Sequence, residues 1–170
     1  ACREFFRHEP HERPTALRAA AGLAGAGDCI QSGCMNTEDR TNLPRVLLAE
    51  DSLPIRERLR SMIEESGIAT VVGEDGSIAR VRQLFKQLEP DAVVLDLQLA
   101  DGTSYALIEE IKRTRPDCLV MVLTNFAVRA YRDRCLALGA DHFFEKSVEF
   151  DRVVEVLAAL RDAWASIKRA

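Results

Sequence analysis

The sequence lacks three features that would each point to a particular class of protein. No stretch approaches the roughly 18 consecutive apolar residues that a membrane-spanning helix needs. The formal net charge of −4 argues against the concentrated basic surface that is typical of nucleic-acid-binding domains. The five cysteines form no disulfide framework, because their number is odd and their spacing irregular. We therefore expect a cytoplasmic protein with reduced thiols, in which Cys118 and Cys135 are small core residues.

Residues 1–43 differ from the rest of the chain. No helix or strand period persists there for more than two turns, and an Ala/Gly run at residues 19–27 is followed by polar residues up to position 43. We predict a mostly disordered N-terminal extension. Met35 precedes a short polar lead into the first apolar run, which motivates the hypothesis that it is the natural start of the protein.

Five short apolar runs follow, each bounded by polar residues or by glycine or proline. They lie at residues 46–49, 68–73, 92–95, 118–123 and 142–144. Their length and their β-branched content favour buried strands, and helical spacing of apolar residues follows each run. Strands separated by helices of this length imply parallel pairing with right-handed crossovers. The sequence therefore predicts an α/β fold, a doubly wound five-stranded parallel sheet covered on both faces.

Polar side chains stand at the carboxyl ends of four of these strands. The first run ends in Glu50 and Asp51, the third in Asp96, and the fourth in Thr124, while Lys146 follows the fifth. Any one of them alone is typical of a helix cap or a solvated loop. Because parallel strands end at one edge of the sheet, we expect all five side chains to converge there.

Three carboxylates at one edge repel each other by about 4 kcal/mol per pair at 4 Å and an effective dielectric of 20. Such a cluster favours a bound cation, and an all-oxygen set of ligands selects a hard one such as Mg²⁺. A cation beside Asp96 would also shield its charge from an incoming phosphoryl group, so that the carboxylate could act as a nucleophile. Thr124 and Lys146 would then contact the phosphoryl oxygens.

Because of these residues, positions 44–168 resemble the receiver domain of two-component response regulators. The resemblance implies a flavodoxin-like fold. The resemblance rests on the acidic pair, on Asp96, Thr124 and Lys146, and on the loop at residues 99–102. It implies Mg²⁺-dependent phosphorylation of Asp96 by a histidine kinase or a histidine phosphotransfer protein. It also implies that Gln98 supplies a backbone carbonyl to the metal.

The resemblance further implies a switch that pairs Thr124 with the aromatic residue Phe143. In this switch Thr124 moves toward the phosphoryl group and Phe143 turns into the space left behind; simple core packing is the alternative role of Phe143. The fourth helix, fifth strand and fifth helix would be the readout surface. The two helices are candidates for a homodimer face, but for the fourth helix we favour a solvated face. Asn125 and Ser147 depart from the small residue and the proline that the family usually has there.

Two functions from different classes remain open. The first is a receiver without an output domain of its own, which we expect because no effector sequence follows residue 168. Such a protein is a phosphoacceptor and not an enzyme. It signals to an unknown downstream protein. The second is a protein-interaction module that uses the same fold without phosphorylation, as the departures at Asn125 and Ser147 suggest. A phosphatase is disfavoured because Gln98 stands where a second carboxylate would be needed.

Overall fold

A computed structural model describes residues 43–167, which form one α/β domain. Five strands and five helices alternate along it. They are β1 (Arg45–Ala49), α1 (Leu53–Ser66), β2 (Thr70–Asp75), α2 (Ile78–Leu88), β3 (Ala92–Leu95), α3 (Tyr105–Thr114), β4 (Leu119–Thr124), α4 (Arg129–Ala137), β5 (His142–Glu145) and α5 (Arg152–Ile167). These five strands form one sheet in which all neighbours are parallel, in the order β2-β1-β3-β4-β5. The predicted doubly wound fold is confirmed.

The core consists of two apolar layers, one on each face of the sheet. On one face the sheet packs against buried residues of α2, α3 and α4, namely Val81, Phe85, Leu107, Ile108, Ile111 and Cys135. On the other face it packs against buried residues of α1 and α5, namely Leu59, Ile63, Val153 and Leu157. Residues alternate between the layers along each strand, so that Leu47 joins the first layer and Leu48 the second. Both faces are covered, which is why the strands are continuous apolar runs.

Several element boundaries differ from the prediction by one or two residues. The second strand begins at Thr70 and not at residue 68, because the ladder starts where the Thr70 N–H donates to the Pro44 carbonyl at 2.9 Å. Ile68 and Ala69 are buried but precede that ladder. The fourth strand extends through Thr124. The predicted loop at residues 97–103 contains a small antiparallel ladder, in which Gln98–Leu99 pairs with Gly102–Thr103.

The ends of two helices are formed by residues typical of those positions. Gly67 follows α1 in the left-handed conformation, with φ at 63°, which glycine adopts without steric cost. The Ser77 hydroxyl accepts a hydrogen bond from the Arg80 N–H at 3.2 Å and thereby caps α2. Cys118 and Cys135 are free and buried, as predicted.

The predicted disorder of the extension and the proposed start at Met35 lie outside the described residues, apart from position 43. Between residues 43 and 167, no helix combines the length and the apolar character that crossing a bilayer requires.

Candidate functional site

The residues predicted to form the site are fixed to the ends of the strands by backbone hydrogen bonds. The N–H groups of Glu50, Asp96 and Lys146 each donate to a carbonyl oxygen of a neighbouring strand, at 3.0, 2.8 and 2.9 Å respectively. Each residue therefore extends a parallel ladder by one hydrogen bond beyond its own strand. As a result, the backbone that carries each side chain is held by the sheet itself and not by a loop.

Lys146 joins two of the predicted carboxylates. Its Nζ lies 2.6 Å from Glu50 Oε2 and 2.6 Å from Asp96 Oδ2. The three side chains are only 5, 3 and 9% exposed, for Lys146, Glu50 and Asp96 respectively. An ammonium group between two buried carboxylates compensates charges that would otherwise be costly to bury.

Asp51 completes an acidic cluster with the same two carboxylates. Glu50, Asp51 and Asp96 each offer an oxygen, and these oxygens lie within 4.8 Å of one another. Lys146 supplies one positive charge against three negative ones. Asp51 is solvent-exposed, so the cluster is open on one side. An all-oxygen donor set with excess negative charge and an open side fits a hard divalent cation that keeps some of its water.

The Glu50 carboxyl has an unusual electrostatic environment. Burial raises its pKa above the usual 4.5, while the hydrogen bond and charge of Lys146 oppose the shift. The carboxylate also accepts a hydrogen bond from the Ser52 N–H at 3.2 Å, and Arg56 Nη1 donates to the Glu50 carbonyl oxygen at 2.6 Å. Ser52 is the N-cap residue of α1, but its side chain makes no capping hydrogen bond.

Two residues that the sequence did not single out shape this site. The buried Ser104 hydroxyl donates to the Asp96 carbonyl oxygen at 2.8 Å and so holds the backbone that carries the carboxylate. A Cβ on Gly76 would lie 2.8 Å from Asp51 Cα and 3.3 Å from the Glu50 carbonyl oxygen. The acidic pair can therefore approach the β2–α2 turn only because this residue is glycine. The sequence signals, a serine before a helix and a glycine in a turn, are too common to identify either role.

The predicted switch residues lie on the adjacent strands β4 and β5. Thr124 is fully buried, and its Oγ1 accepts a hydrogen bond from the Phe126 N–H at 3.2 Å. Phe143 is buried in the core layer beneath α4, and the Arg132 guanidinium lies 5.1 Å above its ring. Gln98 donates its N–H to Asp96 Oδ1 at 3.3 Å. The switch roles of Thr124 and Phe143, and the metal-binding carbonyl of Gln98, stay predictions.

Comparison with known proteins identifies the family. A family model described as the response regulator receiver domain matches residues 46–158. The photosynthetic apparatus regulatory protein RegA of Cereibacter sphaeroides is 28% identical over 114 residues, which are 67% of this chain and 61% of RegA. The chemotaxis protein CheY of Thermotoga maritima is 28% identical over 113 residues, which are 66% of this chain and 93% of CheY.

The fold has close matches among solved structures as well. A CheY-like receiver domain protein from Methanospirillum hungatei JF-1 superposes with a TM-score of 0.65 at 20% identity, covering 73% of this chain and 98% of that one. The chain spans less than two thirds of the length of RegA, so the resemblance concerns one domain. Because the family model matches most of residues 43–167, the chain belongs to the response regulator receiver domain family.

Proposed function

We propose that this domain accepts a phosphoryl group on Asp96 from a histidine kinase or a histidine phosphotransfer protein. The observation that carries the proposal is the placement of Lys146 Nζ at 2.6 Å from Asp96 Oδ2, next to the acidic cluster with Glu50 and Asp51. The domain is then a phosphoacceptor in a two-component system, and not an enzyme that acts on other substrates.

In the proposed transfer, an Asp96 carboxylate oxygen attacks the phosphorus of a phosphohistidine. A P–O bond forms as the P–N bond breaks, and the histidine nitrogen keeps the electron pair of the broken bond. The Lys146 ammonium group exchanges its ion pair with the free carboxylate for an ion pair with a phosphoryl oxygen, and the Thr124 hydroxyl donates a hydrogen bond to another phosphoryl oxygen. Ser104 holds the Asp96 backbone while the carboxylate becomes an acyl phosphate.

Glu50, Asp51 and Asp96, with the Gln98 carbonyl, would hold Mg²⁺. When bound, the ion supplies positive charge that lowers the repulsion between the carboxylate and the incoming phosphoryl group. The residues themselves provide the rest of the chemistry. Glu50 is held by the sheet and by Lys146, whereas the exposed Asp51 leaves a path by which a hydrated cation enters.

The signal would leave the site through Thr124 and Phe143. As Thr124 moves toward the phosphoryl group, Phe143 turns inward beneath Arg132. The surface formed by α4, β5 and α5 then changes shape, and a downstream protein or a second copy of the domain binds there. In this proposal the domain works in the cytoplasm and contacts proteins, not nucleic acid or membrane.

The test uses radiolabelled acetyl phosphate with Mg²⁺, and in parallel a histidine kinase. We expect acid-stable incorporation into the wild-type protein and none into Asp96→Asn. Asp101→Asn is the matched control, because it removes an exposed carboxylate from the loop that follows β3 and should keep the label. Equal labelling of Asp96→Asn would contradict the assignment.

A second function is favoured by one observation. Lys146 already pairs with both Glu50 and Asp96 at 2.6 Å, so the site is partly neutralised without a metal or a phosphoryl group. Such a domain could bind partners in one fixed state. Titration with beryllofluoride and Mg²⁺ distinguishes the two functions, because only a phosphoacceptor binds this phosphoryl analogue at Asp96.

A further inference from the structure

A small pocket lies beside the proposed phosphorylation site, between the start of α3 and α4. We name it the shoulder pocket; its volume is about 210 Å³, and its walls include Gln98, Thr103, Tyr105, Phe126, Tyr131 and Arg134. Ligand sites for drug-sized molecules usually have about 300–1,000 Å³. The shoulder pocket therefore has room for one large side chain of a partner, and not for a cofactor.

The walls of the pocket are aromatic and unusually exposed. Phe126 is 54% and Tyr131 41% exposed, so they are among the few large apolar side chains that the described part of the chain presents to solvent. Aromatic residues around a pocket of this kind are typical of the centre of a protein interface.

The positive charge at the pocket favours an acidic partner. Among the described residues that line it, Arg134 is the only charged one, and none is a carboxylate. Its guanidinium lies 4.0 Å above the Tyr105 ring. The neighbouring arginines of α4 each have an acidic partner within the domain, since Arg129 lies 3.6 Å from Asp133 and Arg132 lies 3.7 Å from Glu149. Within residues 43–167 we find no ion pair for Arg134, so its charge is available to a carboxylate from another molecule.

Two hydrogen bonds connect the pocket to the proposed reaction centre. The Phe126 N–H donates to Thr124 Oγ1 at 3.2 Å, and the Gln98 N–H donates to Asp96 Oδ1 at 3.3 Å. A group that draws the Thr124 hydroxyl or the Asp96 oxygen toward itself weakens one of these bonds. The positions of two pocket walls therefore depend on what is bound at Asp96.

We propose that the shoulder pocket binds an acidic segment of a partner protein, with one aromatic or large aliphatic side chain inserted between Phe126 and Tyr131 and a neighbouring carboxylate on Arg134. We further propose that occupancy of Asp96 changes the affinity of this site; only that second part rests on the proposed function. The partner is defined by its chemistry, an apolar side chain flanked by Asp or Glu.

The first test needs no variant. A blocked tripeptide of Asp, Phe and Asp is titrated into the full chain at millimolar concentrations, and the backbone amide resonances of Thr103 and Phe126 are followed by NMR. We expect saturable shifts at both amides, and affinity at least about fivefold weaker for a tripeptide of Lys, Phe and Lys, as for the loss and reversal of one exposed ion pair. Equal binding of the two peptides, or no shifts with either, would overturn the proposal.

Variants then locate the contact. Arg134→Gln should weaken the acidic tripeptide about fivefold, whereas Arg129→Gln, a control on the same helix with an internal partner, should not. Tyr131→Ala should reduce binding, and Leu136→Ala, which removes an exposed side chain outside the pocket, should not. If both arginine variants bind like the wild type, the assigned carboxylate contact is wrong.

Beryllofluoride with Mg²⁺ separates this proposal from the previous one. Resonances around Asp96 report whether the analogue binds, independently of the peptide. If it binds and the tripeptide affinity is unchanged, the coupling is refuted while the phosphoacceptor function stands. If the analogue does not bind, the phosphoacceptor function fails, and the peptide titration still decides whether the pocket is a docking site.

Discussion

Replacing Lys146 by methionine tests the electrostatics of the site most directly. Methionine keeps most of the length and volume of the side chain but removes the ammonium group. Glu50 and Asp96 each lose an ion pair of 2.6 Å, although both remain buried. The substitution therefore leaves buried carboxylates without their cation.

The size of the effect follows from the geometry. At 4.8 Å, the outer limit of the oxygen separations, two carboxylates repel each other by about 3.5 kcal/mol at an effective dielectric of 20. Removing one partner of a buried ion pair typically costs about 3–5 kcal/mol. We expect Lys146→Met to lose about 3–4 kcal/mol of unfolding free energy at neutral pH in EDTA. Since burial raises the pKa of Glu50, the loss should shrink as the pH falls and that carboxyl takes up a proton.

Magnesium should restore much of this loss, because it brings positive charge to the same oxygens. A site with a dissociation constant near 0.1 mM gains about 2.7 kcal/mol in 10 mM Mg²⁺. The assay is urea unfolding of the wild type and the variant, in EDTA and in Mg²⁺. Lys112→Met is the matched control: Lys112 Nζ contacts Asp141 at 2.9 Å and the Cys118 carbonyl oxygen at 2.9 Å, and no residue of the acidic cluster.

The control should lose stability to the same extent in both buffers. If Lys146→Met were as stable as the wild type in EDTA, the buried charges would not depend on this lysine. If Mg²⁺ stabilised neither the wild type nor Lys146→Met, the acidic cluster would not be a cation site.

Three further predictions concern other parts of the domain. Gly76→Ala should weaken Mg²⁺ binding by about tenfold or more, measured by calorimetry, because its Cβ would lie 2.8 Å from Asp51 Cα; unchanged affinity would contradict the close approach. Burial raises the pKa of Cys118 and Cys135 to about 11, so mass spectrometry should find both alkylated about 100-fold or more slower than a free thiol at pH 8. Hydrogen bonds from the first amides of α2 lower the pKa of Asp101 below its usual 3.8. The unfolded state then binds the proton more readily, so the stabilisation is present above pH 3.8 and is lost as the pH falls through the lowered pKa; Asp101→Asn should therefore show a smaller fall in melting temperature between pH 7 and pH 3 than the wild type.

Features whose causes lie within a few residues could be predicted from the sequence. The run from Ala92 to Leu95 became the central strand β3 because four apolar residues before an aspartate suit a strand buried on both faces. The helix ends at Gly67 and Ser77 are features of the same kind, because left-handed backbone and side-chain capping are local properties. The convergence of Glu50, Asp96 and Lys146 followed from topology, since parallel strands end at one edge.

Features that depend on distant parts of the chain could not be predicted in this way. Ser104 turns its hydroxyl back to the carbonyl of Asp96, eight residues earlier, and no local pattern distinguishes it from an ordinary helix cap. Lys112 and Asp141 are 29 residues apart and join α3 to the start of β5. Their pairing depends on how the helix lies on the sheet, which periodicity does not specify.

The start of the second strand shows the same limit at short range. Ile68 and Ala69 have the apolar character of a strand and are buried, so composition alone extends β2 to them. The ladder begins only at Thr70, where the partner carbonyl of Pro44 becomes available. The position where a strand begins thus depends on the neighbouring strand, and it cannot be predicted from the sequence of one strand alone.

The backbone N–H groups of Glu50, Asp96 and Lys146 make the last hydrogen bonds at the ends of three strands, and this has a consequence for how the domain unfolds. Strand ends fray before the middle of a sheet melts. On gentle warming the protein would therefore lose the proposed phosphoryl acceptance at Asp96 while its circular dichroism spectrum remained native-like. Heat inactivation and heat denaturation of this domain should be separate events, with inactivation first.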